Sequence, residues 1–337
     1  MSADRVQERL DALFALGGGP GANRVSGSEA EQRAHDLAAG WLAEAGLEVE
    51  VDGAGNLFGR TREPAVLLGS HLDSVPQGGR FDGALGVVAA IEAVERVGRG
   101  AVVAFRGEET GCIGSTAFAA AGPLPSSFLE LHVEQGPVLE RAGAPLGLVT
   151  GVVGIVRGER IFEGPGGHAG TVPMADRRDP LVAAAEYVLR TRATAAGIDG
   201  AVATIGRVEA EPGFGNVIPS RVRLPVDARA PDAERLDRLV AELGLEPTFR
   251  LEPVATAPGP REALRAALEE RGIPVVELAS GAGHDAAVLA AVGVPTGMLF
   301  VRSLNGGVSH TPEEESSPED VALAVDVLAE ALRRLST

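Results

Sequence analysis

Apolar positions recur every three to four residues over 4–16 and 29–45, which predicts two amphipathic helices near the start of the chain. Ser28 with Glu31 three residues on gives the second a capping-box start. Short apolar runs follow at 47–51, 56–59 and 65–70, and then strand and helix patterns alternate. A helix is predicted over 84–97, a strand over 101–106, a helix near 115–121 and a strand over 128–133. Such alternation predicts an α/β fold with a mostly parallel central sheet, because parallel strands covered on both faces read as continuous apolar runs.

After Gly151 the texture changes. Residues 155–162 alternate apolar and polar, Asp179 and Pro180 mark a helix start, strands are predicted over 201–208 and 221–228, a helix over 232–243 and a strand over 248–251. This reads as a smaller α+β unit. From about residue 255 the first texture resumes, with a helix over 261–271, a strand over 275–278, a helix from Asp285, a strand over 296–301 and a last helix capped by Ser317 with Pro318 behind it. The expected organisation is one discontinuous α/β domain, 1–151 plus 254–337, with a second domain inserted at 152–253.

Composition narrows the chemistry. The chain has 337 residues and 30 basic side chains. All of the latter are arginine, so Schiff-base lysines, Ser-Lys dyads and Walker A loops are excluded. A net charge of -17 argues against nucleic acid and anionic membrane as partners. The single cysteine, Cys112, rules out internal disulfides and multi-thiolate zinc sites. The amphipathic N-terminus lacks a continuous apolar core of the signal-peptide kind, and no run reaches membrane-spanning length, so a cytoplasmic protein is expected.

The most informative stretch is 67–87, LLGSHLDSVPQGGRFDGALGV. It puts His71, Asp73 and Asp82 just beyond an apolar strand, at the sheet edge where open α/β folds keep their active sites. His132 and His310 also fall at or near strand ends beside acids or glycines, whereas His35 lies within a plain helix. Glu108 and Glu109 end another strand, and neighbours on an extended chain point opposite ways. One can bind metal while the other faces a substrate water. Asp82 is short enough to bridge two cations, and Asp73 is placed to accept the second ring N–H of His71. Imidazole and carboxylate without thiolate suit Zn(II), with Mn, Co or Ni able to fill the same sites. The sequence 281–286 mimics a dinucleotide fingerprint, but His284 and Asp285 occupy the turn that would approach a pyrophosphate. No G-x-S-x-G elbow occurs and Cys112 lacks a catalytic context, so covalent catalysis is not expected.

Seven segments in order, GSHLDSVPQGGRFDGALGV, RGEE, LELHVEQGPVLE, GHAGTVPMADRRD, GFGNVIPSRVR, GAGHDA and GGVSHTPEE, resemble the M20-type zinc amidohydrolases of the hydantoinase/carbamoylase branch. This branch includes N-carbamoyl-L-amino-acid hydrolases, β-ureidopropionases and allantoate amidohydrolases. The resemblance covers about residues 30 to 335. It implies two divalent metal ions per chain, one on His71 and His132, the other on Glu109 and His310, with Asp82 between them. It implies that Glu108 is the general base, that His168 reaches across a homodimer to the oxyanion, and that Gln135, Asn216 and Arg229 contact substrate. His284 matches a motif histidine grouped with the substrate-binding positions. The inserted domain matches the family's dimerisation or lid domain, and the substrate is a small linear amide or ureido compound. The chain departs from the branch between Glu109 and His132, where only 22 residues intervene and Glu-Glu-Thr-Gly-Cys replaces Glu-Glu-Gly-x-Arg-Phe. That compact spacing is similar to M20 peptidases and N-acyl deacylases, which form the nearest rival reading. A non-catalytic binding protein on the same fold is the more distant one.

Overall fold

The computed structural model describes residues 3–336. The chain forms two compact units, 1–151 with 255–337 and 152–254.

The first unit begins with α1 (Ala3–Ala15) and α2 (Glu29–Glu44). Ser28 caps α2 by accepting the Glu31 N–H, and the Glu31 carboxylate accepts the N–H of Gly27, so the start of the helix is satisfied from both sides. There follow β1 (Glu48–Val51), β2 (Leu57–Arg60), β3 (Val66–His71), α3 (Ala84–Val97), β4 (Ala101–Phe105), α4 (Ile113–Ala121), β5 (Ser127–Val133), α5 (Val138–Ala142) and β6 (Leu146–Val152). The second unit holds β7 (Gly154–Glu163), β8 (Gly167–His168), α6 (Pro180–Ala196), β9 (Val202–Thr204), β10 (Glu209–Glu211), β11 (Val217–Ile218), β12 (Arg221–Ala230), α7 (Ala233–Leu243) and β13 (Glu246–Leu251). Past β14 (Val254–Ala255) the first unit resumes with α8 (Pro258–Glu270), β15 (Val276–Ser280), α9 (Asp285–Ala291), β16 (Thr296–Val301) and α10 (Pro318–Leu335).

The large sheet runs β1-β2-β4-β3-β5-β16-β6-β14, with β15 also on β6. Its centre, β4-β3-β5-β16, is parallel. The pairs β1–β2, β2–β4 and β6–β16 are antiparallel, so the sheet is mixed where a mostly parallel one was expected. Connection length is the reason. A parallel neighbour needs a crossover to the far end of the sheet, whereas the short links 52–56 and 134–145 return the chain at the end it left.

Strand periodicity divides the core between the two faces. Leu68, Leu131 and Leu299 pack with α1, α2, α3, α8 and α10 in one cluster, while Leu67, Phe105, Phe128 and Phe300 pack with residues of α4 and α9 in another. Helix α3 is covered along its length, and its Glu92, with no exposed surface, is held by Arg5 at 2.6 and 2.7 Å and Arg9 at 2.9 Å. In the second unit β10-β12-β7-β13, with β9 also on β12, forms an antiparallel sheet. Its buried face carries Val222, Leu224, Val226 and Ala228 of β12 against Leu236, Leu239 and Leu243 of α7 and Ala184 and Tyr187 of α6. The strand predicted over 201–208 is the short β9, with β10 beginning just after it. Strands β6, β8, β10, β11 and β14 and helix α5 had no counterpart in the sequence reading. No helix among the described residues is long and apolar enough to cross a membrane.

Candidate metal centre

The parallel strands deliver the candidate residues to one edge of the large sheet. His71 is the last residue of β3, one position further into the strand than the sequence suggested, and His132 is the penultimate residue of β5. Asp82 lies two residues before α3, Glu108 and Glu109 follow β4, and His310 lies in the loop between β16 and α10.

Asp82 is at the middle of the cluster. Its Oδ1 is 3.1 Å from His132 Nε2 and 3.7 Å from His71 Nε2, while its Oδ2 is 3.2 Å from His310 Nε2. His310 Nε2 also lies 3.6 Å from Glu109 Oε2. Two donor groups share Asp82, His71–Asp82–His132 and Asp82–Glu109–His310, and a third comprises Glu130, His132 and His284; the ligand atoms of each are close enough to share one cation. Gly83 makes the first possible. It has φ +64°, and a Cβ there would lie 2.4 Å from the His71 ring, so both backbone and space demand glycine.

The far sides of the rings are also held. His132 Nδ1 is 3.0 Å from the Val133 carbonyl, an arrangement that turns Nε2 toward Asp82. His71 Nδ1 faces both the Asp73 carbonyl at 3.1 Å and the Asp73 carboxylate at 3.3 Å. That carboxylate has a further task the sequence did not suggest: it accepts the backbone N–H of Glu108 at 3.1 Å and of Glu109 at 3.2 Å. Glu108 and Glu109 thus sit in a turn rather than on an extended chain. Asp73 shapes that turn so that Glu108 Oε2 comes within 3.8 Å of His71 Nε2 while Glu109 meets His310.

The electrostatics are those of a crowded acidic cage. Burial, assisted by Glu109 and Asp82, raises Glu108 to about 7 against the pull of His71. Glu109 is raised as well, by burial first and Asp82 second. Burial works against charge on Asp82, but hydrogen bonds from His132 and His310 hold it well below the ordinary range. His132 is raised to about 9, the Asp82 contact outweighing desolvation, and His310 to about 9 chiefly by its hydrogen bond to Asp82. A group of imidazoles and carboxylates that stays charged only by mutual pairing suits a cation at its centre. The donor set contains no thiolate, and the buried Glu109 Oε1 has no hydrogen-bond partner, so an oxygen is free for a ligand. The residues therefore fit divalent metal.

Other expected residues divide between the units. Gln135 is at the cluster, its Nε2 donating to Asp82 Oδ2 at 3.0 Å. His284 is buried against His132 with ring centroids 4.5 Å apart, and its Nε2 is 2.7 Å from Ser280 Oγ, so its ring fills the turn of the apparent dinucleotide fingerprint. His168, Asn216 and Arg229 belong to the second unit. His168 pairs in register with Val217, and the N–H of Ala169 donates to the Asn216 carbonyl at 3.1 Å, so His168 and Asn216 share one small ribbon with exposed side chains. Arg229 lies on β12, its guanidinium forked onto Asp227, which Arg157 also contacts at 3.0 Å.

Among the supporting residues missed are Arg24 and Glu130. Arg24 has no exposed surface and donates to the carbonyls of Leu72 at 2.7 Å and Leu13 at 3.2 Å, tying α1 to the loop behind His71. Glu130 accepts from Ser70 Oγ at 2.7 Å and from the N–H of Ala286 at 2.9 Å beneath the cluster. A charged residue inside an apolar strand such as Glu130 was a visible signal. For Arg24 the sequence offered none.

The chain is similar to known proteins along its length. The family described as "Peptidase family M20/M25/M40" matches residues 67–334. An "N-carbamoyl-L-amino acid amidohydrolase" of Geobacillus stearothermophilus is 36% identical over 407 aligned positions, covering 100% of this chain and 99% of that protein. A "Probable allantoate deiminase" of Oryza sativa subsp. japonica is 33% identical, covering 94% of this chain and 85% of that protein. The crystal structure of an amidase of the hydantoinase/carbamoylase family from Burkholderia multivorans superposes with a TM-score of 0.89 at 32% identity, covering 100% of this chain and 98% of the other. The chain belongs to the M20 family, in its hydantoinase/carbamoylase branch, and is an amidohydrolase.

Proposed function

We propose that this protein hydrolyses a linear amide or ureido C–N bond in a small substrate bearing a carboxylate, most simply an N-carbamoyl amino acid, with two divalent cations. The observation that carries this reading is the convergence of His71, His132, His310, Asp82 and Glu109 into two donor groups sharing Asp82. Zinc is the metal best suited to them. When bound, the cations would supply positive charge for the developing oxyanion and acidify water near neutral pH.

The chain's own groups do the rest. Glu108, beside the donors but outside both groups, takes a proton from the attacking water at its carboxylate and returns it to the leaving nitrogen. Gln135 holds Asp82 and presents an amide to the substrate. His168 stabilises the oxyanion, Asn216 and Arg229 hold the substrate carboxylate, the planar guanidinium donating to it in exchange for its fork onto Asp227, and His284 completes the substrate contacts. The second unit, 152–254, serves as lid and dimerisation domain. The exposed Leu181, Val182 and Leu189 on one face of α6 support a homodimer. For an N-carbamoyl amino acid the products are the free amino acid, ammonia and carbon dioxide.

One observation favours a second reading, an N-acyl deacylase or peptidase. The 407 aligned positions with the Geobacillus amidohydrolase exceed this chain's 337 residues by 70, so this chain is the more compact of the two. The two readings separate in parallel assays of metal-reconstituted protein on N-carbamoyl and N-acetyl amino acids, reading ammonia or amine release. Faster turnover of the carbamoyl series is expected. Preference for acetyl or dipeptide substrates would establish the second reading instead.

A further inference from the structure

Glu314 lies four residues beyond His310, at the end of the motif that carries it. Its side chain is buried, with 4% of the residue exposed, and it meets three donors. Oε1 accepts the backbone N–H of Phe81 at 2.7 Å and of Asp82 at 3.0 Å, and Oε2 accepts the hydroxyl of Ser309 at 2.6 Å. One carboxylate thereby clamps the backbone of Asp82, 232 positions away, to the residue next to His310. The approach is made possible by Gly79, where a Cβ would lie 2.1 Å from Glu314 Oε1. Ser309 extends the chain of contacts, since its Oγ also receives Gln135 Nε2 at 3.2 Å, and that nitrogen reaches Asp82 Oδ2.

His310 needs such support. It lies outside any strand or helix, its side chain is 50% exposed, and its φ of +58° is unfavourable for a residue with a Cβ. The other histidines of the cluster are buried on strands.

We propose that Glu314 is a positioning residue that sets the separation of Asp82 and His310, and so the affinity of the second cation position, Asp82–Glu109–His310. It touches neither substrate nor metal. The inference rests on the two-metal reading given above. A carboxylate is well suited to the position because two acceptor oxygens meet three donors from two loops, and nothing in the clamp depends on a flexible charged partner. Contacts of this kind around metal ligands are generally worth 10- to 100-fold in metal affinity.

The test is zinc titration of chelator-stripped, full-length protein against a competing indicator, with thermal unfolding of the metal-free form alongside. Wild type should bind two equivalents. Glu314→Ala should bind one equivalent as wild type does and the other about 10- to 100-fold more weakly, in the manner of a milder His310→Ala. Glu314→Gln should restore both, because its amide oxygen still accepts the Phe81 and Asp82 N–H groups and its NH₂ reaches Ser309. Ser309→Ala, which leaves the Asp82 side of the clamp intact, should reproduce the selective loss and decides the matter if Glu314→Ala does not fold. Unchanged affinity for both equivalents in the alanine variants would overturn the proposal. So would equal weakening of both equivalents, or a Glu314→Gln variant as impaired as Glu314→Ala. A wild-type protein that binds fewer than two equivalents would remove the two-metal reading itself, and this proposal with it.

Discussion

Glu108 is distinguished from Glu109 by what surrounds each carboxylate. Glu109 faces His310 and Asp82 and belongs to a donor group, whereas Glu108 belongs to none and is raised to about 7 by burial. Glu108→Gln should therefore lower kcat by about 10²- to 10⁴-fold while two equivalents of zinc remain bound, measured by steady-state assay and metal analysis on the same preparation. His35 shows the opposite use of a titratable group. The sequence marked it as an ordinary helix residue, yet it is 3% exposed and both ring nitrogens lack partners. Burial lowers it to about 3, so the native state keeps the ring neutral where the unfolded chain, near 6.5, would protonate it. Stability from this site is full above about 6.5 and is lost as pH falls toward 3, by up to about 1.4 kcal/mol per pH unit. His35→Leu should match or exceed wild-type stability at pH 7.5 and lose less of it at pH 5.5 in urea denaturation. A steeper acid loss in the variant would contradict the assignment.

Elements place these residues through their ends. Strand β3 was legible as a buried run, and its last residue is a donor because the chain must leave the sheet there and turn through Asp82 and Gly83 into α3. The helix starts came through well, with Ser28, Asp179, Asp232 and Ser317 all accepting backbone N–H groups of the first turn. Gly83 is the element-scale residue on which the site depends most. Gly83→Ala places a methyl group against the His71 imidazole and forces φ +64° on an L-residue. It should cost about 1–3 kcal/mol and weaken zinc binding, both visible when Tm is measured with and without metal. Wild-type zinc affinity in a folded variant would show that the His71 ring can yield. Less legible were β6 and the turn at Glu108–Glu109, because each owes its shape to distant chain: β6 to pairing with β16, the turn to Asp73.

At the scale of the molecule, the two units are each compact and have separate cores. The apolar outer face of α6, with Leu189 69% exposed, is the surface on which the proposed homodimer depends. Leu189→Glu adds like charge to a face of an already acidic chain. It should shift the protein toward monomer in sedimentation velocity while each subunit keeps its zinc, and an unaltered sedimentation coefficient would move the dimer interface elsewhere. The texture changes near Gly151 and reverses near residue 255, close to the limits of the two units, and each unit carries its own hydrophobic periodicity. Reaction class was readable for a related reason: histidines and carboxylates at strand ends are costly to keep without a use, and their order along the chain is the family's. The sequence by itself therefore determined the α/β class and the reaction class, which rest on local pattern and on the order of motifs. Tertiary structure alone decided that Asp73 builds the Glu108–Glu109 turn, that Arg24 and Glu130 lie behind the donors, and that Glu314 joins Asp82 to His310. Those contacts link residues tens to hundreds of positions apart, and no local periodicity encodes a hydrogen bond that exists only once the sheet has brought its loops together.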